Sequence, residues 1–383
     1  MRVLIIASGL NMGGIENMLL SSIPYYNVQG VKIDILCKVG GELDKSFIEA
    51  GVNLIDFERK GNPLYEAYSL NKILKKKYYD IVHSQYSHNS GFFAIICKLN
   101  SVPFFISVHN QKAMFKLTWE KKFGLKAIRK MYLNLHKYLS IKNSEKIIGH
   151  SNANLKYYTQ NWERFPDKYY VVSNGIDFSK LDDTVELDAE KINRLKVFKN
   201  ISSKVFIHIG SFKEQKNHSF LIEVFNDLNP KRNNYKLILL GTGELFSLIQ
   251  KKINELELED YIYMTGMETN IKPYMEVSDM FLFPSLYEGF GNVLIEAQYM
   301  RLPIVASDIT PHYEAVNCVY HDYFFDLKTK SDALSKIKKM INEFETKELL
   351  EKKEIAYQFA KNFSVESMVN DIVMLYNICL NKD

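Results

Sequence analysis

Two glutamates, Glu288 and Glu296, are the side chains of this 383-residue chain best placed to act together on one ligand. They lie in Pro284-Ser285-Leu286-Tyr287-Glu288-Gly289-Phe290-Gly291-Asn292-Val293-Leu294-Ile295-Glu296-Ala297, which follows an apolar strand, Met280–Phe283, and runs into a helix starting near Asn292. Glu288 falls in the loop and Glu296 about one turn inside the helix, so the two carboxylates can face one ligand at different depths. Gly289 and Gly291 let the backbone approach that ligand closely. The first N–H groups of the helix lack intrahelical partners and carry the positive end of its dipole, which suits a phosphate. The plain alternative is a helix cap followed by a solvated side chain, and a single Gly-rich loop is a weak signal.

The elements that must position these residues alternate between short apolar strands and amphipathic helices. Strands are predicted at Val3–Ala7, Lys32–Cys37, Ile81–His83, Phe104–Val108, Lys146–Gly149 and Tyr170–Val172. Helices fill the gaps, for example Glu16–Ile23 and Gly91–Leu99. A second set of strands follows at Val205–Ile209, Lys236–Leu240, Ile262–Thr265, Met280–Phe283 and Ile304–Ala306. Such alternation implies parallel strands joined by helical crossovers. Between the sets, Ser173-Asn174-Gly175-Ile176-Asp177 carries an Asn-Gly turn signal and is followed by a polar stretch. The boundary belongs there, giving domains 1–175 and 176–364. The expected architecture is two doubly wound sheets, with ligands beyond the carboxyl ends of the strands and therefore in the cleft between the domains.

Composition narrows the function classes. A hydrophobic fraction of 46% and a charged fraction of 25% fit an ordinary globular protein. A net charge of +4 is too small to point to nucleic acid. The four cysteines, Cys37, Cys97, Cys318 and Cys379, form no CxxC pair and are expected to be buried free thiols in a reducing cytosol. The N-terminal apolar run is too short for a signal peptide, and no stretch is long enough to span a membrane.

The Glu288–Glu296 segment resembles the Glu-x7-Glu motif of retaining glycosyltransferases of the GT-B fold, specifically glycosyltransferase family 4. Three further stretches are similar to parts of that family. Gly210-Ser211-Phe212-Lys213-Glu214-Gln215-Lys216-Asn217 looks like its phosphate-binding loop, Leu240-Gly241-Thr242-Gly243-Glu244 like its second Gly turn, and Asn174-Gly175-Ile176-Asp177 like its inter-domain linker. Gly9-Leu10-Asn11-Met12-Gly13-Gly14-Ile15-Glu16 is similar to the N-terminal loop of capsular and exopolysaccharide members.

The resemblance implies two Rossmann-like domains, an acceptor-binding one first and a nucleotide-sugar-binding one second. It also implies a last helix, within 365–383, crossing back onto the first. The implied reaction is transfer of a hexose-type sugar, with retention and without a metal or other cofactor, from a nucleotide-diphosphate sugar (UDP first, GDP second) to a glycan acceptor. No Asp-x-Asp metal signature lies near the site. By position, Glu296 would bind the ribose, Glu288 the donor sugar and Lys216 the diphosphate. The amides of Asn292 and Val293 would add to Lys216, while Gly289, Phe290 and Gly291 form the donor loop and Gly13 and Gly14 let the other domain close on the diphosphate. His109, at the end of a strand, would lie near donor sugar and acceptor. His83, His88 and His150 read as packing histidines. Ser211 departs from the pattern, since family members often carry Arg there, and Lys213 is a candidate substitute. Arg301 stands where Gly is common and receives no role.

From Lys112 to Lys137 the chain holds eight Lys or Arg and one acid, Glu120. Phe123, Ile128, Met131, Tyr132, Leu135 and Leu139 recur at helical spacing, while Lys122, Lys126, Arg129 and Lys137 fall on other faces, with Phe115 and Trp119 ahead of them. Basic residues interleaved with aromatics suit an anionic bilayer surface. The expectation is a cytoplasmic enzyme, peripheral at the inner face of the cell membrane, acting on a lipid-linked glycan in surface polysaccharide biosynthesis without nucleic-acid partners. The plain alternative for this stretch is a solvated helix packed on its own core. Two competing functions are a nucleotide-sugar epimerase of the same fold, which needs a different acid/base set, and a noncatalytic partner subunit, which would be expected to lose the motif.

Overall fold

A computed structural model describes residues 1–57, 62–85, 90–109, 125–182, 189–199 and 202–381. The chain divides into two compact units, Met1–Gly175 with Ser364–Asp383, and Ile176–Phe363. In the first unit the strands are β1 (Arg2–Gly9), β2 (Lys32–Lys38), β3 (Asn53–Asp56), β4 (Ile81–Ser84), β5 (Phe104–Val108), β6 (Lys146–Gly149) and β7 (Tyr169–Val171). They form one parallel sheet in the order β3-β2-β1-β4-β5-β6-β7. In the second unit β8 (Lys204–Ile209), β9 (Tyr235–Leu240), β10 (Ile262–Gly266), β11 (Met280–Phe283), β12 (Ile304–Ser307) and β13 (Phe324–Phe325) form a parallel sheet in the order β10-β9-β8-β11-β12-β13.

The central strands are continuous buried apolar runs, as both-face burial in a helix-covered parallel sheet requires. Two edge strands are additional to the eleven expected from sequence. Asn53-Leu54-Ile55-Asp56 has only two apolar residues between polar ones, and Phe324–Phe325 is two residues long. Both owe their extended state to pairing with a neighbour already in place, which local composition does not encode.

In each sheet the strand order reverses once, between β1 and β4 and between β8 and β11. Connections leave a doubly wound sheet in opposite directions at such a point, and their loops open a crevice beyond the carboxyl ends. The loop after β8 begins at Gly210 and the loop after β11 at Pro284, so parallel pairing of these two strands makes two segments some 70 residues apart into neighbours.

The last helix, Val365–Leu380, completes the core of the first unit. Val365, Met368, Val369, Ile372, Val373, Leu375 and Tyr376 join the buried cluster under β1 and β2, and the helix lies against Gly14–Val28. Ser364 caps its start by accepting from the Ser367 amide. Gly175 is needed where this helix arrives, since a Cβ there would stand 2.6 Å from Val365 Cα. We expect Leu375→Ala, at a position 1% exposed, to lower stability by about 2–5 kcal/mol, read as a reduced urea midpoint.

Candidate active site

The loop after β8 and the loop after β11 are tied together by three contacts. Gln215 takes part in two, with the Leu286 amide donating to its carbonyl at 2.8 Å and its own Nε2 donating to the Tyr287 carbonyl at 2.9 Å. The third is an ion pair of 2.6 Å between Lys216 Nζ and Glu288 Oε1, with side-chain exposures of only 14% and 7%. Two of the sequence candidates are thus one charge pair. Gln215 carried no sequence signal, because its role is to buckle two loops that are distant in the chain.

The path of Lys216 explains Gly210. A Cβ on Gly210 would stand 3.0 Å from Lys216 Cγ and Cδ, so the lysine stem lies across the bare glycine face. The second Gly turn acts as a buttress: a Cβ on Gly241 would meet the Gly210 carbonyl oxygen at 2.2 Å, and the Phe212 amide donates to the Thr242 carbonyl at 3.0 Å. Phe212 is buried, while Ser211 and Lys213 are exposed on the rim of the loop. Beneath the ammonium, 4.6 Å away, lies the ring of Phe283, the last residue of β11.

Gly291 adopts a left-handed φ of +101° and starts the helix Asn292–Tyr299 without a side-chain cap. Asn292 and Val293 form its first turn, and Gly289 lies in the loop ahead of it. Phe290, expected among the donor-loop residues, turns inward instead: it is 4% exposed and its ring packs on Phe363 at 5.6 Å. Glu296 is half-buried one turn into the helix. Burial raises its carboxyl to about 7, against the opposing pull of the Lys180 charge.

Three buried histidines surround this loop pair: His208 on β8, His218 after the loop, and His312 beyond β12. His208 Nδ1 donates to the Leu282 carbonyl at 2.8 Å and His312 Nδ1 to the Ser307 carbonyl at 2.7 Å, while His218 stacks on Phe212 at 4.0 Å. Burial, reinforced by the Lys216 charge, pushes His218 down to about 4 and His312 to about 3, and holds His208 well below its ordinary value. All three are neutral at neutral pH and add no charge to the site.

In the first unit His109 directly follows β5. Its Nε2 shares a hydrogen bond of 2.7 Å with Gln85 Oε1 at the end of β4, and its ring stacks on His150 at 4.3 Å. Burial first, then its neighbours His150 and His83, lower its pKa well below 6.5, so it offers a neutral imidazole. His83 is locked between Tyr376 and Ser107, and His150 Nδ1 donates to the Val172 carbonyl, as packing histidines do. His88 lies outside the described residues. Gly13 precedes the helix Gly14–Val28, and a Cβ on Gly14 would meet nothing within 4 Å.

The basic helix spans Leu125–Asn143. Trp119 and Lys122 lie outside the described residues, as does the side chain of Lys126. Arg129 is half-buried, and Lys137 is drawn in over the Tyr158 ring at 5.3 Å, where burial lowers its pKa. Met131 and Leu135 are exposed together with Tyr138, Lys130 and Lys142. Among the cysteines, Cys37 and Cys97 are buried, but Cys318 is exposed and Cys379 partly so, correcting the expectation of four buried thiols. Among the described residues no helix is long and apolar enough to cross a membrane.

Residues 12–180 match the family model for Glycosyltransferase Family 4, and residues 190–358 match that for glycosyl transferases group 1. The capsular polysaccharide biosynthesis glycosyltransferase CapH of Staphylococcus aureus is 27% identical over 387 residues, covering 98% of each chain. The UDP-Gal:alpha-D-GlcNAc-diphosphoundecaprenol alpha-1,3-galactosyltransferase of Escherichia coli is 27% identical over 266 residues, 67% of this chain and 64% of that one. Among solved structures, a glycosyltransferase from Rickettsia africae matches with a TM-score of 0.81 at 19% identity, covering 100% of this chain and 99% of that one. Alr3699/HepE of Anabaena, solved in complex with UDP-glucose, matches with a TM-score of 0.76 at 18% identity over 99% of this chain and 100% of that one. These likenesses identify the fold as GT-B.

Raising Glu296 above its ordinary 4.5 means that the folded protein holds this proton more tightly than the unfolded chain. The associated stability is present below about pH 4.5 and is lost as pH rises through about 7. Glu296→Gln should therefore gain on the parent protein by about 1–3 kcal/mol between pH 5 and pH 8, seen as a widening difference in Tm. A difference that stays constant across this range would show that Glu296 ionises like an exposed carboxyl.

Proposed function

Because the chain belongs to the family-4 glycosyltransferases, of the capsular and exopolysaccharide group, we propose that it transfers a hexose, with retention of anomeric configuration, from a UDP-sugar to a lipid-linked glycan. The observation that carries this reading is the Lys216–Glu288 pair beside the start of the Asn292–Tyr299 helix, with Glu296 one turn further in. A nucleotide-diphosphate sugar has a matching order of groups. Its diphosphate meets Lys216 and the amides of Asn292 and Val293, its sugar hydroxyls meet Glu288, and its ribose hydroxyls meet Glu296. Breaking the anomeric C–O bond leaves positive charge on the sugar ring and negative charge on the departing diphosphate. A fixed ammonium and helix N–H groups aimed at the second charge lower the barrier, and no metal is assigned to that task.

UDP is preferred over GDP because Alr3699/HepE was solved with UDP-glucose and the E. coli relative is named for a UDP-galactose donor. A lipid-linked acceptor is preferred because that same relative acts on a diphosphoundecaprenol glycan. His109, as a neutral imidazole, serves to hydrogen-bond a sugar hydroxyl in the acceptor-binding unit.

Peripheral binding to an anionic bilayer has its own support. The helices Pro63–Lys76, Gly91–Leu99 and Leu125–Asn143 lie side by side and contain one acid, Glu66, against nine Lys or Arg. Leu64, Tyr65 and Tyr68 of the first and Met131, Leu135 and Tyr138 of the third are exposed large apolar or amphipathic side chains. That combination suits the headgroup region of an anionic leaflet.

Glu288→Ala is expected to lower transfer by about 100-fold or more while the protein stays folded. Full activity in that variant would refute the site, and its inactivity would exclude a noncatalytic subunit. In a thermal-shift panel of nucleotide sugars, UDP-sugars should raise Tm with concentration and GDP-sugars should not. The parent protein should cosediment with anionic liposomes at low salt, and Met131→Asp with Leu135→Asp should weaken that binding while leaving thermal-shift responses to UDP unchanged. No binding of the parent protein would remove the membrane role.

A further inference from the structure

Lys216 has two attractive partners in its own unit. One is the carboxylate of Glu288 at 2.6 Å, and the other is the face of Phe283, with the ring centroid 4.6 Å from Nζ. On the reading above, a bound donor competes for both members of the ion pair: its diphosphate draws the ammonium and its sugar hydroxyls engage the carboxylate. Among the described residues, the aromatic face is then the group left to keep the ammonium in place.

The ring is well fixed for that task. Phe283 is fully buried, and its ring is flanked by Phe281 at 5.8 Å, His208 at 5.6 Å and His312 at 5.4 Å. The two imidazoles are themselves pinned by bonds to the Leu282 and Ser307 carbonyls. A ring held on these sides cannot swing away, so its negative π face is a constant feature of the ground beneath Lys216. Cation–π attraction is strongest where water is excluded, and the Lys216 side chain is only 14% exposed.

We propose that Phe283 is a positioning residue for the donor diphosphate: its π face holds the Lys216 ammonium in the direction of the phosphates when the diphosphate draws it away from Glu288. The proposal rests on the donor-site reading and deepens it.

The test alters the π face and leaves the shape of the ring nearly untouched. Phe283 is replaced site-specifically by mono-, di- and trifluorinated phenylalanine, a series in which fluorine progressively withdraws electron density from the ring. Dissociation constants of UDP and UMP are measured for each protein, together with those of Lys216→Ala. UDP affinity should fall stepwise, by about tenfold across the series, with UMP affinity constant within about twofold. UDP affinity that does not change with fluorination, in a protein where Lys216→Ala weakens UDP, would overturn the role of Phe283 and leave the donor site intact. A parallel loss of UDP and UMP would also overturn it, as general damage to the site. If Lys216→Ala binds UDP as tightly as the parent, the assignment of Lys216 fails, and the proposal with it.

Discussion

A buried ammonium must have a buried partner, and the second unit is arranged around that requirement. Removing Lys216 and Glu288 from water separately would be strongly unfavourable, and their mutual attraction offsets it only when the geometry is tight. That geometry depends on β8 and β11 being parallel neighbours, because only then do the loops that follow them emerge side by side. The remaining features serve this contact. Gln215 clamps the two loops, Gly210 clears the path of the lysine stem, and the Gly241–Gly243 turn supports the loop from behind. Breaking either partner leaves an uncompensated charge in a place water reaches poorly.

The rest of the site is kept close to neutral. His208, His218 and His312 could each have carried a proton, but burial and the nearby ammonium discharge them. Glu296 is held near the point where it exchanges its proton at neutral pH. An anionic ligand arriving at the start of the Asn292–Tyr299 helix therefore meets the Lys216 ammonium and a helix dipole. Such a site can favour charge that develops on a leaving group without binding every anion tightly.

The first unit applies the same physics to other ends. Burial keeps His83, His109 and His150 neutral at the strand ends, and of these three His109 keeps partial exposure beside its polar partner Gln85. Its last helix comes from the far end of the chain, and Tyr376 reaches His83 through a buried hydrogen bond of 2.6 Å. The Leu125–Asn143 helix turns Lys137 inward and Met131 and Leu135 outward. The aliphatic stem of a lysine packs well beneath a cation–π contact.

The sequence by itself determined the alternation of strands and helices, the central strands of both sheets, and the candidacy of Glu288 and Glu296, because apolar runs, glycines and motif spacing are local and were readable in order, while Lys216 became a candidate through the family resemblance. The sequence also placed the start of the helix near Asn292, where the helix begins. It did not reveal β3 or β13, whose extended state comes from a neighbouring strand, nor the inward turn of Phe290, nor the roles of Gln215 and Phe283. Those depend on which strands lie side by side. Lys216 and Glu288 are 72 residues apart, and only the pairing of β8 with β11 places them at 2.6 Å, where desolvation makes each the necessary partner of the other.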